Sequence, residues 1–233
     1  MKTAFISDIH SNLEALTSSL AAIDLAGVQR IYCLGDIVGY GPFPNECIAL
    51  VRERCAGVVR GNHDSGVGGE TRLGHFTPDG QEAIKWTRHE ITGKNLSYLK
   101  NLPMLSVFNE VTIVHASPLQ PANWQYIATW AEAKPCFRSF RTPLCLIGHT
   151  HIPCIIGEDG SSNAFSNKKR YLINVGSVGQ PRDGNPAASF GIWDDDMGSF
   201  DILRVPYNTA ITASAIVDAT LPSYLAKRLS LGV

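Results

Sequence analysis

"KTAFISDIHSNLEALTSSLAAIDLAGVQRIYCLGD", residues 2–36, reads as strand, helix, strand. The first segment is a short apolar run that ends at Asp8. Apolar residues then recur at Leu13, Leu16, Leu20 and Ile23, near the helical period of 3.6. Ser11 or Asn12 is placed to cap that helix, and Gly27 to end it. "RIYCLGD" is a second apolar run, again closing on an acid, Asp36. Outward from there the rhythm continues, with "PNECIALVRERC" (44–55) as helix and "GVVRGNHD" (57–64) as a third strand. Strands alternating with helices predict an α/β sheet carrying helices on its faces.

Past residue 70 the pattern turns helical, through "PDGQEAIKWTRHEI" and "NLSYLKNL". Strands return with "LSVFN" and "VTIVHASP", and Asn109-Glu110 makes a tight hairpin turn between them. "TWAEAKPCFRSF" reads as helix interrupted at Pro135. Short strands and turns follow, and the last 28 or so residues offer two short helices. Neither a repeat nor a linker divides residues 1–233, so a single domain is expected.

Composition excludes several classes. A net charge of −1 over 233 residues gives no long-range pull toward a nucleic-acid polymer or an anionic membrane. No apolar run approaches the roughly 18 residues of a membrane helix. "MKTAFISDIH" meets an aspartate and a histidine before a signal-peptide core forms, so a cytoplasmic address is expected. The 6 cysteines form no CxxC pair and read as small buried hydrophobes. No heptad announces a partner chain, and the oligomeric state stays open.

Potential metal ligands sit where strand after strand runs out: Asp8 and His10, Asp36, Asn62 with His63 and Asp64, His115, and then His149 and His151 in "LCLIGHTHIPCII" (144–156). Of the 7 histidines, only His75 and His89 fall elsewhere, and they read as loop and helix-surface residues. Ligands of open α/β sheets bind beyond the carboxyl ends of the strands. Carboxylates, imidazoles and an amide without thiolates suit Mn²⁺, Fe or Zn²⁺ better than Ca²⁺ or a structural zinc.

These blocks, Asp8-x-His10, Gly35-Asp36, Gly61-Asn62-His63-Asp64, His115 and Gly148-His149-x-His151, stand in the order of a known signature. The chain resembles the calcineurin-like metallophosphoesterase superfamily, and "GDIVGYGPFPNE" and "NVGSVGQPRDGNP" resemble its small prokaryotic phosphodiesterase branch. The resemblance implies a four-layer α/β/β/α sandwich of two mixed sheets flanked by helices. It implies two divalent ions, Mn first, with Fe, Zn, Ni or Co as alternatives. Asp8, His10, Asp36 and His151 would hold one, and Asp36, Asn62, His115 and His149 the other, Asp36 bridging. Gly148 would let the backbone turn close to the ions. Water activated between the metals would attack a small phosphoester in line, with His63 as general acid or charge stabiliser. A phosphodiesterase is favoured over a phosphomonoesterase, a dinucleoside polyphosphate hydrolase or a non-catalytic metal-binding scaffold.

The chain departs from the superfamily's protein phosphatases at one block. Gly39 replaces the aspartate that orients the acid histidine, and Tyr40 replaces an arginine that grips phosphate. Asp64 is a candidate to orient His63 instead, or else caps the segment that follows. Arg182 in "GQPRDG" is a candidate substrate contact, since a guanidinium fork matches phosphate geometry. The glycine-rich "SGVGG" (65–69) reads as a disordered stretch or a lid.

Overall fold

The computed structural model describes residues 1–162, 165–166 and 168–233. β1 (Lys2–Ile6) buries all but its first residue and pairs in parallel with β2 (Arg30–Cys33). α1 (Leu13–Leu25) connects them. The Asn12 side chain caps it by accepting the Ala15 N–H at 3.1 Å, and Leu16, Leu20 and Ile23 turn inward at the expected spacing. α2 (Pro44–Arg54) starts on proline, whose missing N–H would have no helical partner there.

The third strand departs from expectation. β3 is only Gly57–Val58, and the chain turns at Gly61 into α3 (Asn62–Gly68), a helix buried along its whole length. The "SGVGG" run is therefore neither a lid nor disordered in residues 65–68: it is the body of that helix. A Cβ on Gly66 would lie 2.9 Å from the Phe76 ring and 3.0 Å from Ile84 Cδ1, so glycine permits the close packing. Gly69, at φ +94°, ends the helix in the left-handed region.

α4 (Pro78–Glu90) and α5 (Gly93–Lys100) follow. β4 (Leu105–Phe108) and β5 (Val111–Val114) form the expected hairpin, with Asn109 at φ +48° in its turn. α6 (Trp130–Ala133) gives way at Pro135 to a 3₁₀ segment, Lys134–Arg138. β6 (Leu144–Ile147), β7 (Cys154–Gly157), β8 (Tyr171–Asn174), β9 (Ala188–Asp194) and β10 (Ser199–Val205) complete two mixed five-stranded sheets. Their orders are β10-β9-β1-β2-β3 and β4-β5-β6-β8-β7. The last two helices are α7 (Thr209–Asp218) and α8 (Ser223–Lys227).

Three apolar clusters occupy the three gaps between four layers. Ala4 and Ile6 of β1 pack with Leu16, Ile23 and Ile48 of the helices, while Phe5 points the other way. Phe5, Ile113, Leu146 and Tyr171 fill the space between the sheets. Cys145 and Ile147 meet Phe137 and Phe140 behind the second sheet. The strand's period of two thus feeds two cores at once. A fourth cluster seats α7 and α8 against Tyr40 and Ala83. The six cysteines are free thiols, four of them buried. Among the described residues no helix is long and apolar enough to cross a membrane.

Candidate metal centre and its cavity

β1, β2 and β3 run parallel in one sheet, and β5, β6 and β8 run parallel in the other. The structure brings together the residues that follow them: Asp8 and His10 after β1, Asp36 after β2, Asn62 and His63 at the start of α3, His115 after β5, His149 and His151 after β6. All eight are buried. Five of them, Asp8, His10, Asp36, His149 and His151, have φ between +51° and +68°. Each such non-glycine conformation costs on the order of 1 kcal/mol or more, and persists only where the surroundings dictate it. Here the two loops stay paired past the strands, Asp8 N–H donating to Gly35 O at 3.0 Å and His10 N–H to Asp36 O at 2.9 Å.

Each carboxylate has one anchored oxygen and one free. Asp8 Oδ2 accepts from Ser7 Oγ at 2.7 Å and from the His149 N–H at 2.9 Å; Asp36 Oδ1 accepts from the His63 N–H at 2.8 Å. Asp8 Oδ1 and Asp36 Oδ2 are buried without a hydrogen-bond partner. Gly148 and Gly61 make room for these groups, since a Cβ on either would fall within 2.3 Å of Asp8 Oδ2 or 2.0 Å of Asp36 Oδ1.

The histidines are fixed from behind. His10, His115 and His151 place Nδ1 against the carbonyls of Val38, Leu34 and Gln180, at 3.2, 2.9 and 2.5 Å. A carbonyl only accepts, so Nδ1 carries the proton and the Nε2 lone pair faces the centre. His149 is reversed: Nε2 faces the Trp124 carbonyl at 2.9 Å, which leaves Nδ1 as its lone-pair donor. The Nε2 atoms of His10 and His151 stand 3.1 Å apart, and His151 Nε2 is 3.2 Å from Asp8 Oδ1. His115 Nε2 lies 3.4 Å from Asp36 Oδ2 and 3.1 Å from Asn62 Oδ1.

The facing Nε2 atoms of His10 and His151, beside orphaned carboxylate oxygens, fit a cation. Asp8 with His10 and His151, and Asp36 with His115 and His149, each gather three potential ligand atoms within 4.8 Å; His10, Asp36 and His63 form an overlapping third group. In the protein alone, burial drives His10 and His151 below the ordinary imidazole range and His149 down to about 3. Burial opposes ionisation of Asp36, but His115 and His63 outweigh it and hold the carboxyl well below its usual value. Burial also disfavours a charged His115, yet Asp36 and Asp8 raise it to about 9. The centre thus takes positive charge where it can.

His63 is oriented differently from expectation. Asp64 does not reach it: its carboxylate accepts the N–H groups of Gly61, Ile37 and Val38 at 3.0, 3.0 and 3.2 Å, capping α3 and tying it to the β2 loop. That corrects the pairing of Asp64 with His63, and burial with the nearby Asp36 charge raises Asp64 to about 7. The His63 ring is held by other rings, Tyr40 at 4.4 Å and Phe76 and His10 at 4.9 Å between centroids. Its Nδ1 has no partner, and burial lowers it to about 4.

His63, Asn62 and His149 open on a cavity of about 400 Å³ whose walls include Arg182, Trp124 and Tyr126. Tyr126 stacks on His149, centroids 4.2 Å apart. His75, exposed in the short 3₁₀ turn Leu73–His75 as the loop reading expects, lines its rim, as do Tyr224 and Arg228. The last two lie beyond every motif, and no local pattern marked them. His89 is at the surface, as expected, beside Glu90.

The calcineurin-like phosphoesterase superfamily domain matches the chain over residues 1–197. An uncharacterised protein of Methanocaldococcus jannaschii is 42% identical over 98% of this chain and 97% of its own length. The phosphodiesterase YfcE of Escherichia coli is 30% identical over 84% of this chain and 89% of its own. A metallophosphoesterase crystal structure from Sphaerobacter thermophilus superposes with a TM-score of 0.90 at 40% identity, covering 100% of this chain and 99% of that one.

Proposed function

This chain belongs to the calcineurin-like phosphoesterase superfamily, and we propose that within it the protein is a binuclear metal-dependent phosphodiesterase acting on a small phosphoester. One observation carries the reading: two buried carboxylate oxygens, Asp8 Oδ1 and Asp36 Oδ2, have no hydrogen-bond partner and stand 3.2 and 3.4 Å from the Nε2 atoms of His151 and His115. Asp8, His10, Asp36 and His151 would hold one ion, and Asp36, Asn62, His115 and His149 the second, sharing Asp36. The donor set suits Mn²⁺, with Fe, Zn, Ni or Co as alternatives. When bound, such ions supply Lewis acidity, which draws charge from phosphoryl oxygens and brings the pKa of water toward neutrality.

The chain's own residues supply position and protons. Backbone carbonyls hold the histidines in single tautomers, so the ligand lone pairs need no reorganisation. His63 stands at the cavity wall with Nδ1 buried against Gly39, so Nε2 is the ring nitrogen that can give a hydrogen bond or a proton to the leaving oxygen. An anionic phosphoester beside it favours its protonated form, so substrate arrival and proton uptake go together. Arg182 is a substrate contact on the same wall. The preference for diesters rests on likeness to the E. coli phosphodiesterase.

The test is hydrolysis of bis-(p-nitrophenyl) phosphate by chelator-stripped protein, with and without Mn²⁺, beside the monoester. Metal-dependent turnover favouring the diester is expected. Preference for the monoester would make the protein a phosphatase, and two bound metals without turnover would favour a scaffold. His63→Ala should retain metal and lose at least about 10²-fold in kcat. Asp36→Asn should lower the metal content at both positions, as read by elemental analysis of the purified protein; loss of one ion alone would remove the shared role.

A further inference from the structure

We propose that Arg182 and Arg228 form an anion subsite that takes a second phosphate of the substrate, on the leaving-group side of His63. The proposal rests on the phosphoesterase reading above and adds to it what the leaving group carries. The Arg182 guanidinium lies 5.9 Å from the centroid of the Tyr40 ring, and that ring packs on His63 at 4.4 Å. Arg182 is therefore one ring behind His63. Arg228 sits in the turn after α8 and lines the same cavity, its guanidinium 5.4 Å from the Tyr224 ring.

Neither guanidinium is neutralised by an acidic side chain among the described residues. Arg182 donates from Nη2 to Gln180 Oε1 at 2.8 Å, and its Nε is buried without a partner. Arg228 donates from Nε to the backbone oxygen of Val233, and among the described residues its two Nη groups make no hydrogen bond. Asp79, the acid in the cavity wall, forms an ion pair with neither. Burial, and then the charge of Arg182, push the Arg228 guanidinium below its usual range. Two like charges aimed into one space repel until an anion lies between them, and a phosphate offers oxygens to both forks at once. Tyr40 and the α7–α8 cluster hold the pair in place, because Tyr40 packs with Leu225 and Leu229 on either side of Arg228 in sequence. Residue 228 lies outside the region matched by the superfamily domain, 1–197, so this part of the subsite comes from the C-terminal segment.

Calorimetric titration of chelator-stripped protein with inorganic phosphate tests the pair without any metal. Wild type should bind, and Arg182→Met and Arg228→Met should each bind at least about tenfold more weakly. Arg228→Lys, which keeps the charge but loses the fork, should recover part of the affinity; a lysine no better than methionine would mean that the residue only supports the fold. Wild type that fails to bind, or Arg228→Met within twofold of it, overturns the subsite. With Mn²⁺ bound, kcat/KM for thymidylyl-thymidine bearing a terminal 3′-phosphate should exceed that for the unphosphorylated dinucleotide by about tenfold, the same guanidinium contribution. That ratio should fall toward one in Arg228→Met. Phosphate binding with a wild-type ratio of one would reveal a site for free phosphate and overturn the substrate assignment. Turnover of bis-(p-nitrophenyl) phosphate, which has no second phosphate, reports on the hydrolytic reading separately.

Discussion

At the scale of single residues, the position that replaces the expected orienting aspartate is filled by the very side chain that aspartate would hold. A Cβ on Gly39 would lie 2.5 Å from His63 Nδ1, and Gly39 sits at φ +93°. Glycine here is both a conformational need and a space for the imidazole. Gly39→Ala should therefore push His63 out of line: kcat should fall at least about tenfold with metal content kept, and the left-handed backbone should cost about 1–3 kcal/mol of stability. Steady-state kinetics beside a urea unfolding midpoint would read both; an unchanged kcat would mean that His63 is free to shift without loss. The ligand types were legible residue by residue, since aspartate, asparagine and histidine at strand ends are chemically distinctive. The cap made by Asp64 on α3 was likewise legible, as one of its two readings. Its bonds to Ile37 and Val38, 27 and 26 positions away, and the nearness of Arg228 to Arg182 were not, because they join distant parts of the chain.

Among the elements, α3 is the instructive case. Its sequence, Asn-His-Asp-Ser-Gly-Val-Gly, has little helix propensity, each glycine costing about 1 kcal/mol relative to alanine. It is helical because Asp64 satisfies amides at both its own start and the β2 loop, and because Gly66 lets Phe76 and Ile84 close over it. Gly66→Val should overpack that contact, at about 2 kcal/mol, or about 4–8 °C in Tm. Phe76 also braces His63, so activity should decline with stability; thermal unfolding followed by circular dichroism, with kcat measured below the transition, checks the coupling. By contrast α1 and the β4–β5 hairpin were readable in advance, because capping, helical period and turn chemistry are local.

For the whole molecule, the metal-free centre sets a pH optimum of stability. His63 and His149, lowered to about 4 and about 3, remain neutral in the fold but charge in the unfolded chain near 6.5. Their contribution is whole above pH 6.5 and is lost as the pH falls toward 4 and below. His115, raised to about 9, acts in the other direction, its contribution being whole below 6.5 and lost as the pH rises through 9. Asp64, raised to about 7, acts in the same direction as His115, its contribution being lost as the pH rises from 3.8 through 7. The Tm of chelator-stripped protein should thus peak between about pH 6 and 7 and decline on both sides, the window following from those values. A scan from pH 4 to 10 would show it, and a flat profile would mean that these imidazoles do not titrate with unfolding. The sequence by itself determined the alternation of strands and helices and the chemistry stationed at the strand ends, because side-chain period, caps and ligand types are written in neighbouring residues. Only the tertiary structure decided which nitrogen of each histidine faces inward, where the third strand stops, what holds His63, and that Arg228 joins Arg182. Those outcomes come from packing and hydrogen bonds between segments far apart in the chain, and no local pattern encodes them.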